Sequence, residues 1–140
     1  MNRLKCLSVV LFAAVLAGVV VSCKNEKAKP AEEGKEAGVA MCNCVNSYTP
    51  PTDPTDFEAF MAYAGQLYNC LGEISAYSDY ITLNGSQANG YGYDAEADEP
   101  LYSVFVFKNS DFEREFKKAT NACMQAFAAL FAMMEMMGGQ

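Results

Sequence analysis

The 140-residue sequence contains no histidine and no tryptophan. Without histidine there is no Ser-His or Cys-His nucleophile pair, no His-ligated zinc and no imidazole acting as general base. Basic residues are also scarce. Lys and Arg total 10 against 17 Asp and Glu, a net charge of −7, which argues against nucleic acid as a partner. The longest apolar run, Leu7 to Val21, is fifteen residues broken only by Ser8 and Gly18. A membrane-spanning helix needs about 20, so this run is short for an anchor. What remains is 51% hydrophobic and 19% charged, enough for one domain with a real core.

The apolar run has the grammar of a secretory segment. Met1-Asn2-Arg3-Leu4-Lys5 precedes it as a short basic stretch, and Lys24-Asn25-Glu26-Lys27 follows as an abrupt return to polar residues. At the junction stands Val20-Val21-Ser22-Cys23. A small residue directly before Cys resembles the lipobox of bacterial lipoproteins, with Val20 where that family usually has Leu. The resemblance covers residues 1–23 alone. It implies that residues 1–22 are removed as a signal peptide, that Cys23 carries the lipid, and that the mature chain is tethered to a membrane outside the cytoplasm. Loss of Arg3 and Lys5 takes the net charge to −9, so the lipid and not the acidic body holds an anionic leaflet.

Residues 23–38, rich in Lys, Glu, Ala and Gly, show no apolar spacing and are expected to form a flexible tether. Residues 39–140 are expected to form a single helical domain. A first helix from about Glu36 to Tyr48 would place Ala37, Met41, Cys44, Val45 and Tyr48 on one face, with Pro50 and Pro51 ending it. A second would be capped by Asp53, with Pro54 in its first turn and Asp56 complementing its dipole. Its apolar stripe is Phe57, Phe60, Met61, Ala64, Leu67, Tyr68, Leu71 and Ile74. For the third, Ser110-Asp111-Phe112-Glu113 matches a capping box. The stripe Phe112, Phe116, Ala119, Cys123, Phe127, Leu130, Met134 and Met137 then predicts one continuous rod of about 40 Å. Between the second and third helices, residues 82–100 are rich in Gly, Asn and Tyr, and a hairpin joining Tyr80–Leu83 to Leu101–Phe107 is expected. The fold class is thus mainly α: a small disulfide-stapled three-helix bundle with a Gly/Tyr-rich loop or short β-hairpin between helices 2 and 3.

Once Cys6 leaves with the signal and Cys23 is acylated, Cys42, Cys44, Cys70 and Cys123 remain. Four cysteines in an exported domain read as two disulfides. Cys42 and Cys44 are too close to bond to each other easily, which leaves two pairings. Cys44 and Cys123 sit mid-stripe, so Cys44–Cys123 with Cys42–Cys70 is the expectation. Each bond should add about 3–5 kcal/mol.

Other constellations compete with these staples. Cys42-x-Cys44 with Met133, Met134, Met136 and Met137 has the soft-ligand chemistry of a copper or thiol-redox site. If the cysteines are oxidised it cannot act so, and the methionines are packing material. Asp94, Glu96, Asp98 and Glu99 offer hard oxygens for calcium, but an EF-hand register beginning at Asp94 fails at Glu99 and Phe105. Tyr77, Tyr80, Tyr91, Tyr93 and Tyr102 gather around the Gly-rich segment and are the candidate interaction surface; the alternative is that their rings cap the core. Lys108, Arg114, Lys117 and Lys118 read as a solvated basic face.

These readings converge on an envelope lipoprotein, on the periplasmic face of the outer membrane or at the cell surface. The expected role is that of a non-enzymatic interaction or structural module. No cofactor is expected beyond the covalent lipid on Cys23. The expected partners are the membrane and an envelope protein rather than a small molecule. The rival is a soft-metal or thiol-redox protein using Cys42 and Cys44.

Overall fold

The computed structural model describes residues 29–53 and 55–138. Residues 1–28, with the expected signal segment and Cys23, lie outside them, as do Pro54, Gly139, Gln140 and the side chains of Gln87, Asn89, Met134 and Met137. Among the described residues the chain forms four α-helices and one two-stranded sheet: α1 (Lys29–Asn46), α2 (Phe57–Leu71), β1 (Ile81–Leu83), β2 (Phe105–Phe107), α3 (Ser110–Thr120) and α4 (Gln125–Gly138). Short 3-10 turns at Gly72–Tyr77, Gln87–Gly92 and Pro100–Tyr102 fill the connections. The fold is mainly helical, with both disulfides formed.

The expected tether is helical from Lys29 onward, so that boundary needs correcting. The face responsible is built from small residues. Gly34, Ala37, Gly38, Met41 and Val45 are buried and recur at the helical spacing of i, i+3, i+4, i+7 and i+11. A Cβ added at Gly34 would fall 2.4 Å from the Phe112 carbonyl oxygen, and one at Gly38 would fall 2.6 Å from the Ala119 Cβ. Two glycines one turn apart therefore let α1 lie backbone-to-backbone on α3. The two helices run parallel, Gly34 beside Phe112 and Gly38 beside Phe116 and Ala119. A search for large apolar side chains passes over such a face. Past Val45 the expectation holds: the helix closes at Asn46, and Ser47 and Tyr48 donate i→i+3 bonds to the Cys44 and Val45 carbonyls.

α2 begins later than expected. Asp56 is its cap, accepting a 2.9 Å bond from the Ala59 amide, while Asp53 instead closes a turn on the Thr55 amide and hydroxyl. Its buried face is Ala64, Leu67, Tyr68, Cys70 and Leu71. Phe57 and Met61, placed on the stripe by sequence, are 62% and 44% exposed.

The hairpin is present, and antiparallel: Ile81 pairs with Phe107, Thr82 with Val106 and Leu83 with Phe105. The expected 40 Å rod is instead two helices broken at residues 121–124. Asn109, not Ser110, caps α3, accepting from the Asp111 and Phe112 amides. At the break Ala126 and Phe127 donate i→i+3 bonds to Cys123 and Met124. The tighter turns change the axis while Phe112, Phe116, Cys123, Phe127 and Leu130 all stay in the core. The apolar spacing is the same on either side of the bend, so the pattern alone cannot reveal it.

Candidate functional site

All four cysteines are oxidised, but in the pairing not favoured from sequence. Cys42 bonds Cys123 and Cys44 bonds Cys70, each with Cα atoms 5.5 Å apart. The glycines explain the correction. With Gly34 and Gly38 counted, the centre of the buried face of α1 moves, and at about 100° per residue Cys42 and Cys44 stand about 80° to either side of it. Cys42, one turn beyond Gly38, is on the flank that meets α3 and the bend after it. Cys44 is on the flank that meets α2. Both bonds insert their far sulfurs into the core, since Cys70 is fully buried and Cys123 nearly so. Cys42 and Cys44 thus offer no thiolate to copper or to a redox partner in this state.

The five tyrosines do not assemble into one surface. Tyr80 stacks on Phe112 with centroids 5.2 Å apart, and Tyr77 lies tilted beside the same ring at 6.1 Å. Tyr93 stacks on Phe131 at 5.1 Å, and Tyr91 meets Tyr68 edge-on at 5.6 Å. Tyr102 packs near Phe105 and its hydroxyl bonds the buried Thr120 hydroxyl at 2.9 Å. All five are half-buried against the core. They close the aromatic core at three places, the bland alternative to a recognition platform. Burial drives the phenols of Tyr77, Tyr80 and Tyr102 upward. Tyr68 is pushed to about 12 by burial and by Tyr91. Tyr102 rises through burial despite the Thr120 bond and the Lys117 charge. Tyr91 sits at φ 55°, alone among described non-glycine residues in the left-handed region. Its amide bond to the Ser86 carbonyl and its contact with Tyr68 hold it there.

The acidic loop is likewise occupied with its own structure. Asp94 accepts from the Glu96 amide at 2.9 Å, and Glu99 pairs with Lys117. Asp94, Glu96 and Asp98 do not converge: among the described residues no group of three or more Cys, Asp or Glu side chains is placed to hold a metal. Lys117 is no member of a solvated face. It lies between Glu99 and Glu113, 5.4 Å above both the Tyr102 and Phe107 rings. Burial lowers its pKa, but the two carboxylates outweigh this and hold it above the usual lysine value. The rest of the basic group is paired at the surface: Arg114 with Asp111 and Glu115, and Lys118 with Glu115. Lys108 donates to the Ser78 carbonyl at 2.9 Å.

Concavities are also present among the described residues. An open groove of about 540 Å³ runs along the outer face of α1 past Lys35, Glu36, Val39 and Asn43. A smaller apolar slot of about 240 Å³ lies between the Gly72–Tyr77 turn and β1, walled by Leu71, Ile74, Ile81 and Leu83. Neither brings together a nucleophile and a base. The feature that sequence reading missed is at the outer end of α2. There Phe57 and Met61 are turned to solvent one helical turn apart, with Asp53, Asp56 and Glu58 around them also exposed. The signal was available: Phe57 immediately follows the cap, where a helix has no preceding turn to pack beneath it.

Comparison with known protein families, with curated proteins and with solved structures gives no match.

Proposed function

We propose that the chain is an exported lipoprotein of a bacterial envelope, anchored through Cys23 and serving as a non-enzymatic interaction or structural module. The observation that carries this reading is the pair of disulfides on the two flanks of α1. Structural disulfides persist in oxidising compartments and are rare in a reducing cytosol. They accord with the resemblance of Val20-Val21-Ser22-Cys23 to a lipobox, which supplies both the export route and the anchor. No described helix is long and apolar enough to cross a membrane, so the anchoring in this reading falls to the lipid. The body offers rigid surface: the tyrosines, the acidic loop and Lys117 are each committed to contacts within the fold.

Intact mass spectrometry of protein extracted from its native envelope tests this. The expected product starts at Cys23, carries a diacylglyceryl thioether and contains no free thiol. In the Cys23→Ser variant the protein leaves the membrane fraction. An unacylated chain, or one bearing reduced Cys42 and Cys44, would overturn the reading.

A further inference from the structure

The basic residues of the mature chain are unevenly placed. Lys and Arg stop at Lys35 and do not return until Lys108. Within the described residues every basic side chain therefore lies on α1, on α3 or just before α3. The helices α1 and α3 are parallel and in contact through Gly34 and Gly38, so these basic residues, most of them paired with carboxylates, lie on adjacent elements. The outer half of α2 has none.

The fold also fixes where that outer half is. Cys44 joins α1 to Cys70, and the chain beyond Cys70 runs back down α1, since the Tyr77 ring lies 6.1 Å from the ring of Phe112, whose backbone sits beside Gly34. Upstream of Cys70, α2 therefore extends the other way. Phe57 stands about 20 Å along α2 from Cys70, and Cys44 about 22 Å along α1 from Lys29. If Cys23 holds the lipid, the six Cα steps to Lys29 span at most about 20 Å. The disulfides weld α1 to the body at Cys42 and Cys44, so the two move as one unit. Lys29 and Phe57 thus stand at opposite ends of the molecule.

We infer that the outer end of α2 is a docking face: Phe57 and Met61 form its apolar centre, Asp53, Asp56 and Glu58 its acidic rim. Its occupant is an envelope protein presenting an apolar contact bordered by lysine or arginine. Charge complementarity selects that partner. A two-fold contact between copies would set the same carboxylates against one another, because such an interface pairs like with like. An exposed phenylalanine inside a polar rim has the anatomy of an interface anchor. The inference rests on the lipoprotein reading for its orientation and for the envelope as the partner's location; the charge and exposure of the face do not depend on the anchor.

A photo-crosslinking phenylalanine analogue at Phe57, in the full-length chain expressed in its own envelope, reads the occupant directly. The same analogue at exposed Ala76 is the control. The expected result is one protein adduct specific to position 57, with the crosslinked partner peptide carrying Lys or Arg beside apolar residues. The double substitution Asp56→Asn with Glu58→Gln keeps the helix cap and removes two charges; it should cut the adduct about threefold to tenfold. An adduct between two copies, an adduct to lipid, equal yield at Ala76, no adduct, or indifference to the charge change would each overturn the proposal. Intact mass of the same sample separates the two readings. An adduct on an unacylated chain keeps the docking face and removes the anchor; an acylated chain without adduct does the reverse.

Discussion

α1 meets α3 through glycine, whereas α2 and α4 meet through large side chains. On the first interface Gly34 and Gly38 bring main chain against main chain. On the second, Tyr68 approaches Phe131 edge-on at 6.5 Å, among the buried Leu67, Phe127 and Leu130. The two modes fail differently. A backbone contact has no rotamer to adjust, so added volume is felt at once. Ring packing around adaptable side chains tolerates exchange, and it leaves room at its outer end for Phe57 and Met61 to face solvent. Among the described residues, Lys and Arg are confined to the glycine-packed side.

The largest test of that contrast is to remove the staple on the α3 flank. Replacing Cys42 and Cys123 together by Ala opens a sequence separation of 81 residues, against 26 for Cys44 and Cys70. Loop-closure entropy then predicts a loss of about 4.5 kcal/mol against about 3.5 kcal/mol. Denaturant unfolding of the two double variants should rank them so; the reverse order would place the weight of the fold on α2.

Next comes Gly34→Ala. One methyl against the Phe112 carbonyl should cost about 3 kcal/mol by forcing α1 from α3, read by thermal unfolding. Smaller is Thr120→Val, which removes the buried hydroxyl partner of Tyr102 and should cost about 1–2 kcal/mol.

Alkali should leave the fold untouched until pH passes the ordinary tyrosine value of 10.0. The Tyr68 phenol titrates at about 12 in the folded chain, so the native state keeps its proton where the unfolded state has lost it. Its contribution is therefore complete below pH 10 and is lost as pH rises toward 12. Tyrosinate absorbance followed beside circular dichroism should show phenols that ionise late and together with unfolding.

The smallest effect has the opposite sign. At Gly65 on α2 an added Cβ would meet nothing within 4 Å, so Gly65→Ala should stabilise by about 0.5–1 kcal/mol. Helix propensity is the whole of that gain, and thermal unfolding reads it. The same substitution that breaks one interface should strengthen the helix of the other.

Much of this architecture is legible in the order of residues. The stripe Ala64, Leu67, Tyr68 and Leu71 marks the buried face of α2, and Phe112 and Phe116 that of α3, because burial of apolar surface at helical spacing needs only local order. The oxidised state of four cysteines follows from their even number and the expected export. The candidate surface is less legible. Tyr77, Tyr80, Tyr91, Tyr93 and Tyr102 are close in sequence or composition, yet their rings go to Phe112, Tyr68, Phe131 and Thr120, residues set far apart along the chain.

The sequence by itself determined helix content, the turn-rich middle and the chemistry of the crosslinks, since propensity, capping and hydrophobic period act within a few residues of each position. Tertiary structure alone decided three things: that α1 begins at Lys29, that Cys42 reaches Cys123 instead of Cys70, and that Phe57 stays in water. Each turns on which backbone approaches which. A glycine signals such an approach only when the surface that needs it, here the main chain at Phe112 and Phe116, has arrived from elsewhere in the chain.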